Sequence, residues 1–119
     1  MNTRITSFKT ACKALGIADT LPQVEGLPKE HQKAIIAHYK LVIIAQALND
    51  GWKPDWDNNN EYKYYPYFDM EKGFSFYICV CIYTFSFAGS RLCFRSAEIA
   101  KYAGTQFVEL YKDYFVISK

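Results

Sequence analysis

No residue pattern in this 119-residue sequence spells a reaction. It has no phosphate-cradling glycine loop, no G-x-S-x-G elbow and no H-E-x-x-H helix, and its carboxylates are too scattered to nominate an acid/base pair. An excess of one charge is also missing. The chain carries 14 basic and 12 acidic residues, a net +2, so no domain-wide field draws in a polyanion by charge alone. No apolar run is long enough to span a bilayer. The charge-free stretch Gly73–Ser90 falls short of roughly 20 apolar residues, and its aromatic and β-branched content suits a strand. The first fifteen residues hold Arg4, Lys9 and Lys13 without an apolar run, which argues against a signal peptide. Aromatic residues are scarce before residue 51, where only Phe8 and Tyr39 occur.

The chain has aromatic residues in plenty further on. Half of its residues are hydrophobic and 18% are aromatic, enough for a buried core. Both tryptophans, six tyrosines and six phenylalanines lie between Trp52 and Phe94. A helical part over residues 1–50 therefore precedes a part with sheet plus helix over 51–119, the whole being one domain. Four cysteines (Cys12, Cys79, Cys81, Cys93) without secretory context read as reduced thiols of a cytoplasmic protein.

Phe8, Ala11, Cys12 and Leu15 have helical spacing, with Gly16 as the stop. Pro28 opens the strongest helix. Its apolar positions Ile35, Ile36, Tyr39, Val42, Ile43 and Ala47 are widened by Leu41, Ile44 and Leu48, so more than one side must be covered; Gly51 ends it. Residues 51–61 form a turn-rich loop. Three strands follow, at 62–70, 74–82 and 90–95. Pro66 suggests an edge or a bulge, and a slip of phase suggests a bulge or loop at Tyr83–Thr84. Alternation sends Phe74, Phe76, Ile78, Val80 and Ile82 to the core face, and Leu92 and Phe94 inward. Ser96 caps a final helix with Ile99, Ala103, Phe107, Leu110 and Tyr114 along its apolar stripe, and Gly104 implies a close approach to its neighbour. Phe115–Ile117 is apolar enough to pack back on the domain. The expected architecture is α+β: helix, helix, a three-stranded antiparallel meander, and a C-terminal helix packed on one sheet face.

If the meander holds, Lys63, Tyr65, Tyr67, Tyr77, Arg91 and Arg95 share the opposite sheet face, with Cys79, Cys81 and Cys93 among them. Stiff tyrosines with stacking arginines suit a protein partner, which includes another copy of the chain, and less readily single-stranded nucleic acid. An ordinary solvated face or a second buried layer is the plainer alternative. Asp55, Asp57 and Asn59 occupy positions one, three and five of a calcium loop, but Asn60 and Pro66 stand where glycine and a bidentate glutamate belong. Turn-capping explains them better. A C-x-C within a strand does not match zinc-knuckle spacing, and His31 and His38 have no local ligand partner, so a thiol- or metal-dependent enzyme is the weakest reading and no metal or cofactor is assigned.

The segments ALNDGWKPDW (47–56), EYKYYPYFDM (61–70), GSRLCFRS (89–96) and YAGTQFVELYKDYF (102–115) resemble a family of small uncharacterised proteins from bacterial prophages and mobile elements. The resemblance covers about the last two-thirds of the chain and departs at Phe74–Ala88, where the family is more polar. It implies a phage or mobile-element setting, with roles such as virion part, host-interaction factor or replication accessory. It brings no catalytic residue with it.

Overall fold

A computed structural model describes residues 4–117. The part of the leader reading that concerns residues 1–3 lies outside them. The described residues form an α+β fold, with four α-helices and a two-stranded antiparallel sheet among them. Helix α1 (Phe8–Leu15) starts at a capping box. The Ser7 hydroxyl accepts from the Thr10 amide, and Thr10 Oγ1 accepts from the Ser7 amide. Gly16, at φ 69°, closes it. Helix α2 (Lys29–Asn49) follows Pro28 and buries Leu41, Ile44, Ala45 and Leu48 almost completely between α1 and the C-terminal helices. Its apolar circumference thus finds cover on several sides. Asp50 takes the left-handed cap position, with Gly51 just after it.

Strands β1 (Lys63–Asp69) and β2 (Ser75–Ile82) pair as a hairpin. The expected third strand over 90–95 is a 3₁₀ turn at Ser90–Leu92, followed by a single bridge between Tyr64 and Phe94. That bridge carries both backbone bonds, at 2.9 and 2.6 Å. Asn49 sets this course. Its buried amide donates to the Cys93 carbonyl (2.8 Å) and accepts from the Arg95 N–H (3.1 Å), tying the segment to α2 rather than to a sheet. Leu92 and Phe94 point inward as their pattern predicts, but Cys93 is buried too.

The final helix is two. Helix α3 (Ala97–Gln106) begins at the Ser96 cap, whose hydroxyl accepts from the Ile99 amide (3.2 Å). Phe107, at φ −112° and ψ 27°, leaves helical geometry, and α4 (Val108–Phe115) resumes in a new direction. The break lets α3 lie on the sheet while α4 packs against α2. Gly104 is where α3 meets the sheet: a Cβ there would sit 2.5 Å from Phe76 Cδ1 and 2.8 Å from Pro66 Cβ. Phe115 rings contact Phe68 and Phe74, and Val116 packs on the core, whereas Ile117 is exposed. No helix among the described residues is long and apolar enough to cross a membrane.

Candidate functional site

The hairpin register decides which side chains share a face. Near the turn, Phe68 opposes Phe76 and Asp69 opposes Ser75, so even positions meet even ones. One residue of β2, Tyr77, is bulged out opposite the step from Tyr67 to Phe68. Beyond it Tyr67 opposes Ile78, Tyr65 opposes Val80 and Lys63 opposes Ile82. The odd positions of β1 therefore share their face with even positions of β2. Alternation had grouped odd with odd, and had placed the irregularity at Tyr83–Thr84, where the strand has already ended.

The six residues expected on one aromatic face are dispersed by this register. Lys63 is fully buried, its ammonium enclosed by the carbonyls of Asn58 (3.4 Å) and Glu61 (3.2 Å), the Glu61 carboxylate (3.4 Å) and the Trp56 ring (5.1 Å). It is the anchor of the 51–61 loop. Within that loop the Asp55 and Asn58 side chains accept from the amides of Asp57 and Asn60, as turn-capping residues do. Tyr65 is buried beneath Phe87, with ring centroids 6.0 Å apart, and its burial raises the phenol pKa. Tyr67 is half-exposed on the same face as Ile78. Tyr77 is the bulged residue and 68% exposed. Arg91 leaves from the 3₁₀ turn into a separate groove, and Arg95 is exposed next to the Asn49 contact. No common surface joins all six.

The presumed core face of β2 is divided as well. Phe74 is buried and Phe76 packs beneath α3, whereas Ile78, Val80 and Ile82 face the other way and Ile78 is half-exposed. Cys79 packs partly on the core and Cys81 is exposed; both follow the α3 side. Cys93 is buried elsewhere, donating to the Gly89 carbonyl (3.0 Å), and burial pushes its thiol pKa up. Cys12 is likewise raised by burial, with Asp19 adding to the effect. Among the described residues, no group of three His, Cys, Asp or Glu side chains is placed to hold a metal ion.

The structure instead brings together a feature that alternation did not single out. The outer side of β2 has no strand partner among the described residues. Antiparallel ladders turn successive residues' backbone groups to alternate sides. Because Tyr64 points its amide and carbonyl at Phe94, Lys63 and Tyr65 point theirs at β2, and Pro66 points away from it. Proline's missing donor therefore falls where no ladder bond is needed. By the same alternation Cys79 and Cys81, opposite Pro66 and Tyr64, direct their backbone groups to the open edge. The segment after β2 holds up Phe85 and Phe87, 87% and 90% exposed, with Phe87 lying over Tyr65 on the α4 side of the hairpin. Ser86 fixes that segment by accepting from the amides of Ala88 and Gly89. The signal available in sequence was the charge-free run that contains both the edge and the two rings.

Two hollows flank these elements. One, of about 470 Å³, lies between Tyr65, Tyr67, Phe87 and the α4 residues Tyr114 and Phe115, with His38 stacked on Tyr114 at 4.7 Å. The other, of about 610 Å³, lies between Val42, Gln46, Trp52, Lys53, Pro54 and Arg91. Compared with family models, curated proteins and solved structures, the chain matches none.

Proposed function

We propose that the chain is a non-enzymatic binding module of a phage or mobile-element system, working in the cytoplasm and engaging an extended protein segment at the open edge of β2. One observation carries this reading. Soluble proteins blunt free strand edges with lysine, proline or a covering loop. β2 has neither lysine nor proline, and its one irregularity is the bulge at Tyr77, before the outward groups of Cys79 and Cys81. Its residues Ser75–Ile82 are uncharged, and its outward amides and carbonyls at Cys79 and Cys81 are unpaired by any strand among the described residues. Strand addition draws affinity from main-chain bonds and specificity from alternate side chains, which here would meet Ile78 and Tyr67 on one face. Peptide display on the immobilised chain tests it. Alternating apolar peptides should be enriched on the wild type and lost on Cys81→Pro, which deletes one outward donor and none of the bonds to β1. Enrichment that ignores this substitution would refute the reading.

A second reading, binding of single-stranded nucleic acid, loses Lys63 to the interior but is favoured by the groove where Trp52 lies with Lys53 and Arg91, neither of which has a carboxylate partner among the described residues. Stacking plus two cations predicts salt-sensitive oligonucleotide anisotropy that Arg91→Ala diminishes. No anisotropy change at low salt would remove it.

A further inference from the structure

We infer that the hollow between α2, the 51–61 loop and the 3₁₀ turn at Ser90–Leu92 takes one phosphorylated planar ring, in chemical class a nucleoside monophosphate. Trp52 stacks on the ring, and Lys53 and Arg91 hold the phosphate. This is independent of docking at the β2 edge. It takes up the groove of the nucleic-acid reading and narrows the recognised unit from a strand to one nucleotide.

Three ties hold the walls of the hollow together. The Trp52 amide donates to the Asn49 carbonyl at the end of α2 (3.0 Å). The buried Asn49 side chain joins α2 to the backbone of Cys93 and Arg95. Trp56 donates its indole N–H to the Ser90 hydroxyl, which fastens the loop that carries Lys53 to the turn that carries Arg91. The two cations therefore stand on segments fixed to each other, so a ligand between them has little chain to order. Leu15 and Val42 add a half-buried apolar wall, and the volume of about 610 Å³ is that of a small-molecule site.

The unused groups in the hollow select the ligand. No acidic residue lines it, and neither Lys53 nor Arg91 forms an ion pair among the described residues. Their two positive charges match the roughly −1.5 to −2 of a phosphomonoester at neutral pH, whereas a carboxylate would leave one of them unmatched. The arginine fork grips phosphate oxygens in pairs, and the lysine serves as a point charge. The Trp52 ring is half-buried and meets no other ring or cation among the described residues, unlike Trp56, which faces Lys63. Such a ring stacks on any base. The Gln46 side chain is also without a partner there, and its amide can both give to and accept from a base edge.

Tryptophan emission and calorimetry with adenosine monophosphate test this on the whole chain. We expect saturable quenching below about 1 mM. Adenosine should bind at least about tenfold more weakly, and inorganic phosphate should compete. Lys53→Gln and Arg91→Gln should each weaken binding about tenfold, whereas Lys101→Gln, which removes the same charge from α3 outside the hollow, should not. All three side chains are exposed, so far-UV spectra and urea midpoints should stay as they are. Trp52→Leu should abolish the emission change, and Trp52→Phe should recover part of the affinity lost. A thymidine decanucleotide with a terminal phosphate separates the two sources of the ligand. Tighter binding than the monophosphate assigns the site to a strand end, and equal or weaker binding assigns it to a free nucleotide. No quenching by adenosine monophosphate, equal affinity for adenosine, or an equal loss in Lys101→Gln would overturn the site. If the decanucleotide without its phosphate then still binds in an Arg91-sensitive way, the strand reading outlives that failure; if it does not bind, both fall.

Discussion

Gly104→Ala is a substitution whose usual effect this structure reverses. In an ordinary helix interior, alanine in place of glycine stabilises by roughly 1 kcal/mol, because the glycine chain loses more freedom on folding. At position 104 the new methyl would stand 2.5 Å from Phe76 Cδ1 and 2.8 Å from Pro66 Cβ. Carbon atoms pack well at about 3.5–4.0 Å, so the mismatch is close to 1 Å on two sides. Pro66 is a rigid ring within β1, paired to Cys79, and cannot retreat. Phe76 would have to leave its rotamer, or α3 would have to lift off the sheet and part Ala100 and Ala103 from the core. Overpacking of this kind costs about 1–3 kcal/mol, which outweighs the propensity gain. We expect a net loss of up to about 2 kcal/mol in urea unfolding and a melting point lower by roughly 4–8 °C per kcal/mol. In a Phe76→Ala background the same change should be close to neutral, since half of the obstruction is gone. Equal or higher stability of the single variant, with the Phe76 background making no difference, would show that α3 does not sit this close to the hairpin.

Two further outcomes follow from buried groups. Lys63→Met should cost about 2–3 kcal/mol, less than a fully buried broken pair because Glu61 is partly exposed, and it should free Trp56 from its cation contact. Urea unfolding followed by tryptophan emission measures both, and an unchanged midpoint would contradict the anchoring role. Tyr111 is fully enclosed, and burial drives its phenol pKa well above the usual value near 10. The unfolded chain releases that proton first, so the stabilisation is whole below about pH 10 and is lost as pH rises above it. Urea midpoints should be level from neutral pH to about 9 and fall beyond; Tyr111→Phe should make the fall shallower, and an unaltered slope would refute the assignment.

Much of the scaffold was legible because local rules and tertiary packing agree. Ser7 and Ser96 sit where caps belong, Gly16 stops α1, and the hairpin spans nearly the residues its alternation marks. Gly104 announced a close approach, and the contact with Phe76 and Pro66 is there. What failed depended on single residues acting at a distance. Asn49, 44 residues from Cys93, holds the 90–95 segment away from strand geometry, and no propensity in RLCFR encodes that. Phe107 is as good a helix-stripe residue as its neighbours, so the break between α3 and α4 is set by what each half must cover. The candidate face failed on parity. A bulge at Tyr77 reverses inside and outside for the rest of β2, and a run apolar at almost every position contains no polar residue to mark the reversal. Lys63 reads as a surface lysine, and only the fold of the preceding loop around it shows otherwise.

The bridge at Tyr64 and the proline two residues later have a bearing on how far any assembly can grow. β1 is already occupied on its outer side by Phe94, and past that point it offers no donor at Pro66. A sheet that can be extended from one margin only is used up by its first mate. One added strand takes up that margin, so edge pairing on this sheet does not run on into the endless stacking that fibres require.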